Sequence, residues 1–199
     1  MRRAPGAWVI AMRALAAVAL AALAAPSTAL AGEPPRLAEG RGFTWGASAT
    51  VPILVGDVRY TRRDGTVPYF AAGGGVLGRV GVELAGGLAL EVVAGAHVHA
   101  VESEPVLVVY RGGAQLRYTF ETGSDVVPFL GAGGSFLLLS RDKTLQATGG
   151  VHAVFGVGWC VADWASLELA IEGDVAFPGE ALEDTIFWLA PMIGATIFY

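Results

Sequence analysis

Three histidines are the side chains here best suited to proton transfer or metal binding: His97, His99 and His152. Imidazole changes charge near neutral pH, so each could serve as a base if a nucleophile stood beside it. A hydrolytic site needs a His next to a Ser, with a carboxylate orienting the His. The strand register developed below puts His97 and His152 at similar heights, with Glu172 and Asp174 near them. The serines on offer are Ser103, in a connection, and Ser135 and Ser140, in a run whose faces the pattern does not assign. All four acid-base groups share the parity that points inward, which favours interior hydrogen bonding over catalysis. His97-x-His99 supplies only two ligands on one strand face, short of a metal site. The single Cys160 excludes an intrachain disulfide and a Cys-based metal centre, and reads as a small apolar strand residue. The glycine runs are not followed by Lys-Ser/Thr or a helix, so they are not phosphate loops. No catalytic residue, cofactor or metal is expected.

The elements that must position these groups are strands. Turn-forming clusters divide the chain into eight runs: 42–55, 67–84, 87–102, 105–120, 126–140, 147–162, 165–176 and 185–199. Within them apolar and polar residues alternate with the two-residue period of a strand. Phe43, Trp45, Ala47, Ala49 and Val51 oppose Thr44, Gly46, Ser48 and Thr50. Leu90, Val92, Ala94 and Val98 oppose Glu91, His97 and His99. Tyr110, Ala114, Leu116 and Tyr118 oppose Arg111, Gln115, Arg117 and Thr119, while Leu167, Leu169 and Ile171 oppose Ser166, Glu168, Glu172 and Asp174. In each case the charges keep to one parity. The run 126–140 is apolar or glycine on both faces and carries no phase.

This pattern decides which face meets which solvent. The chain is 54% hydrophobic and 16% charged, far below the roughly 25% charge of a soluble domain. Beyond the N-terminus, no stretch of about 18 residues is apolar enough for a spanning helix. A closed barrel is the other way a backbone satisfies its hydrogen bonds in lipid. The expected fold is therefore an all-β, eight-stranded antiparallel up-and-down transmembrane barrel with apolar residues outward and polar residues inward. Its lumen charge network would be Arg79, Glu83, Glu91, Arg111, Arg117, Glu168, Glu172 and Asp174, with His97, His99 and His152 as lumen histidines. Buried charges persist when paired, so Arg–carboxylate contacts are expected. The strand glycines, Gly73 to Gly75, Gly131, Gly133, Gly134, Gly156 and Gly158, would make room inside. Phe43, Trp45, Tyr69, Phe70, Tyr118, Phe120, Phe129, Trp159, Trp164, Phe198 and Tyr199 would form the aromatic girdles at the two interfaces.

The first 31 residues carry Arg2, Arg3 and Arg13, an apolar run from Ala14 to Ala25, Pro26, and Ala29-Leu30-Ala31. That is the layout of a secretory signal peptide, cleaved after Ala31. Residues 32–41 form a flexible lead-in and 42–199 the barrel. A net charge of −5 without a basic cluster excludes nucleic acid as a partner.

Two further features carry a resemblance. Ala195-Thr196-Ile197-Phe198-Tyr199 ends on an aromatic, with Ile197 two residues before it. This resembles the C-terminal signal, here Ile197 and Tyr199, that hands outer-membrane barrels to their assembly machinery. Val67-Pro68-Tyr69-Phe70-Ala71-Ala72-Gly73-Gly74-Gly75 and Val127-Pro128-Phe129-Leu130-Gly131-Ala132-Gly133-Gly134 resemble strand openings of the OmpA/OmpX-type barrel family of Gram-negative bacteria, although here they fall at opposite rims. The resemblance implies an outer-membrane location, contact with membrane lipid and lipopolysaccharide, the assembly machinery as a partner, and a monomer. The function expected is a structural or surface-interaction role in the cell envelope. The alternatives are a lipid A-modifying barrel enzyme and a soluble periplasmic barrel binding a small ligand.

Overall fold

The computed structural model describes residues 42–55, 70–101, 106–141, 144–178 and 185–199. The signal segment 1–31, the lead-in 32–41, the loop 56–66, Tyr69 and Ser103 lie outside the described residues. The strands are β1 (Phe43–Thr50), β2 (Ile53–Val55), β3 (Phe70–Ala85), β4 (Leu88–Val101), β5 (Leu107–Thr119), β6 (Val126–Arg141), β7 (Thr144–Ala162), β8 (Ala165–Ala176) and β9 (Ile186–Phe198). Each pairs antiparallel with the next in the order β1-β3-β4-β5-β6-β7-β8-β9-β2, and β1 also pairs with β9. The sheet thus closes on itself.

Nine segments make eight staves, because β1 and β2 are one stave interrupted at Val51 and Pro52. Two prolines cause the interruption. The Val51 N–H donates to the Pro191 carbonyl at 3.0 Å, but Pro191 has no N–H to return the bond. One residue on, Gly73 donates to the Pro52 carbonyl at 3.0 Å, and Pro52 likewise cannot reciprocate. The ladder loses one donor on each side. At the end holding both chain termini the connections are tight. Gly86 and Gly87, with φ of 56° and 78°, form a two-residue hairpin whose positive φ values glycine adopts without strain.

The alternation partitions as physics requires. Val80, Val92, Leu116, Phe155 and Leu169 are exposed on the outer face, while Arg79, Glu91, Arg117 and Glu168 are buried inside. β6 is phased by its partners. Val127, Phe129, Gly131, Gly133, Ser135, Leu137 and Leu139 take the inward parity, whereas Leu130 and Phe136 are exposed. Two expectations are corrected here. Phe129 is not a girdle aromatic; it is 1% exposed in the lumen, under the Arg117 guanidinium at 3.8 Å from its ring centre. Gly134, and Gly74 opposite the exposed Val98, face outward rather than making interior room. Phe43, Trp45, Tyr118, Phe120, Trp159 and Tyr199 do project outward near the terminal end.

The interior is layered rather than uniformly polar. At the loop end Leu107, Val109, Leu137, Leu139, Ala176, Ile186 and Trp188 form an apolar cluster. A second one, Leu77, Val93, Phe129, Val154, Ala170 and Met192, sits deeper. Charged side chains occupy the space around them.

Candidate functional site

The lumen's polar groups fall into two clusters. In the one nearer the terminal end, Glu168 on β8 is shared. It bonds Arg79 of β3, accepts from Arg117 of β5 at 2.7 Å, and accepts from the Thr196 hydroxyl of β9 at 2.6 Å. Arg79 also reaches Thr196. Glu91 of β4 lies 3.9 Å from Arg79 and 3.8 Å from Arg117 and accepts from the Gln115 amide at 2.5 Å. Two guanidiniums therefore face two carboxylates from four staves, and each charge in this tight interior is compensated.

Room for these side chains comes from glycines opposite them. A Cβ on Gly46 would lie 2.8 Å from Arg79, and one on Gly81 would lie 2.7 Å from Glu91. Any larger residue would displace the charged group from its partner.

In the second cluster Arg111 bonds Glu172 and lies 3.1 Å from Asp174. His97 is buried on β4, its ring centre 6.3 Å from that of His99. His152 extends the first cluster through Gln115. Gln115 donates its amide N–H to the Glu91 carboxylate, so its oxygen faces His152 Nε2, 3.0 Å away. Nε2 must then donate, which leaves Nδ1 to accept from the Ser135 hydroxyl at 2.7 Å. Ser135, His152, Gln115 and Glu91 form one chain of hydrogen bonds crossing three strand interfaces.

Seven of the eight lumen charges read from the sequence meet in these clusters. Glu83 does not. It is half-buried at the terminal-end mouth, and no ion pair to a described residue holds it. Gln115, Ser135 and Thr196 are the members that charge counting missed. Gln115 shared the inward parity of Arg111 and Arg117, and that was the available signal; Ser135 had none, because its strand carried no phase. Among the described residues no group of three or more His, Cys, Asp or Glu side chains is arranged to hold a metal. Cys160 is half-buried on β7.

No protein-family model matches the chain, and no curated protein does. Solved structures do. Neisserial surface protein A aligns over 78% of this chain and 96% of its own, with 20% identity and a TM-score of 0.63. The outer membrane protein OprG from Pseudomonas aeruginosa aligns over 81% and 96%, with 16% identity and a TM-score of 0.56. The fold is that of the small outer-membrane β-barrels. At eight staves such a barrel has an interior that side chains fill, as they do here. Its final strand closes the cylinder: Tyr199 donates its N–H to Phe43 at 2.9 Å, and its ring projects outward beyond Ile197. The likeness to these neighbours and the apolar outer face together support an outer-membrane location.

Proposed function

We propose that this chain is a non-enzymatic outer-membrane barrel with a structural or surface-interaction role, exported by a signal peptide cleaved after Ala31. The observation that carries this reading is the filled lumen. Paired charges and two apolar clusters occupy the cylinder, and Trp188 with Leu137 and Leu139 close it at the loop end. Both termini then lie on the periplasmic side and the longer loops outside. Membrane lipid and lipopolysaccharide contact the outer face, the assembly machinery reads Ile197 and Tyr199, and the barrel acts as a monomer.

Ser135 and His152 have the contact that the enzymatic alternative needs. Three features favour a structural role for them. The pair faces the lumen, whereas a lipid substrate lies outside. The neutral Gln115 cannot stabilise an imidazolium as a carboxylate does. The strand around Ser135 pairs on both sides, with β5 and with β7, so its backbone N–H groups are placed in the ladders rather than as an oxyanion hole. The apolar outer face disfavours the soluble alternative, because a soluble barrel inverts that pattern.

The test of function is twofold. Purified barrel in a planar bilayer is expected to give no stable porin-sized conductance; such pores would overturn the closed-lumen reading. Ser135→Ala and His152→Ala are expected to leave the lipid A mass spectrum of expressing cells unchanged. Loss of a modified lipid A species on either substitution would establish the enzyme instead.

A further inference from the structure

The terminal-end mouth of the barrel holds a cavity of about 20 Å³. Thr44 of β1, Glu91 of β4 and Arg117 of β5 line it as buried side chains, and Glu83 and Thr119 line it half-buried, toward solvent. A water needs roughly 10–15 Å³ of such space, so the cavity takes one water and nothing larger. Gly81 helps to leave this room. A Cβ there would lie 2.7 Å from Glu91 Cγ and 2.9 Å from the Thr44 hydroxyl, so both side chains border the same small space.

Two polar atoms of the lining residues are left unmatched by the protein. The Thr44 hydroxyl and Arg117 Nη1 are each buried without a hydrogen-bond partner. Arg117 donates from Nη2 to Glu168 at 2.7 Å, whereas Nη1 stands 3.8 Å from Glu91 Oε1, too far for a direct bond. A polar approach of that length is one that an intervening water closes. Ordered water is also the usual partner of buried polar groups that the chain itself does not satisfy.

We propose that this cavity is a binding site for one structural water. The water accepts from Arg117 Nη1 and from the Thr44 hydroxyl, and donates to the Glu91 carboxylate. It turns the 3.8 Å approach of Arg117 and Glu91 into a bridged contact. It also links β1, the strand that closes the cylinder on β9, to β4 and β5 across the mouth. The charges around it select a neutral ligand. Arg79 and Arg117 are already matched by Glu91 and Glu168, so a cation would meet the Arg117 guanidinium, and an anion would meet Glu91 and Glu83.

A crystal structure of the folded barrel, at a resolution that shows waters, tests the site directly. One peak is expected within about 3.2 Å of both Thr44 Oγ1 and Arg117 Nη1. An empty cavity, or Arg117 Nη1 bonded directly to Glu91, would overturn the proposal. Thr44→Val keeps the side-chain shape and removes the hydroxyl. Urea unfolding of that variant in lipid vesicles is expected to run about fivefold faster, in keeping with one lost buried hydrogen bond. Thr44→Ser, which keeps the hydroxyl, is expected to recover most of the original rate. A Thr44 that only fills space predicts the opposite order, with valine silent and serine faster. That order would refute the water's role.

Discussion

Glu168 shows how a single buried carboxylate organises a small barrel. It accepts from Arg117 and Thr196 and bonds Arg79, so three other strands depend on one side chain of β8. Removing one partner of a buried ion pair costs about 3–5 kcal/mol, because the remaining charge is stranded. Glu168→Ala would leave two guanidiniums with only the Glu91 carboxylate, 3.9 and 3.8 Å from them, to compensate both. Urea unfolding of the barrel in lipid vesicles is expected to show a loss of that size, and a change below about 1 kcal/mol would mean the pairs add little. Ser135→Ala removes only the donor to His152 Nδ1, and about 1–3 kcal/mol is expected by the same measurement. The charged members of this network were legible from residue type and parity. Its neutral members were not, because Gln115, Ser135 and Thr196 matter through their partners, and sequence gives no distance across a lumen.

At the scale of the strand, phase is legible where a charge marks one face. β4, β5 and β8 each carry buried charges on one parity and exposed aliphatics on the other. β6 has no such mark: Leu137 and Leu139 point in while Leu130 and Phe136 point out, and only its register with β5 and β7 tells them apart. Phe129 was misread for this reason. Depth was equally hidden, since Leu107 and Val109 begin β5 like any apolar pair, and their gathering with Trp188 follows from closure of the cylinder. The glycines give a contrast that tests the packing. Gly46 faces Arg79 and the Ala195 carbonyl, 2.8 and 2.9 Å from where a Cβ would sit; Gly112 faces open space. Gly46→Ala is expected to destabilise by about 1–3 kcal/mol through overpacking. Gly112→Ala should be neutral or stabilise by about 0.5–1 kcal/mol, because alanine loses less backbone freedom on folding. Equal effects in urea would argue against the lumen geometry. Pro191→Ala restores a donor opposite Val51, and hydrogen exchange at Val51 and Ile53 is expected to slow.

For the molecule as a whole, the decisive relation is between inside and outside. Large apolar side chains cover the outer face from Val80 to Ile193, while the charges turn inward in near-balanced sets. Such a surface is stable in lipid and would aggregate in water. Composition and parity already implied this arrangement; closure of β1 on β9 and the filled interior required the three-dimensional arrangement. The most direct measurement is a spin-label scan along β4 in bilayers, with Cys160→Ala as background and single cysteines at 90, 91, 92, 93 and 94. Positions 90, 92 and 94 are predicted to collide strongly with membrane-dissolved oxygen and weakly with a water-soluble nickel reagent, while 91 and 93 are shielded from both. Strong nickel accessibility at 90, 92 and 94 would contradict the account.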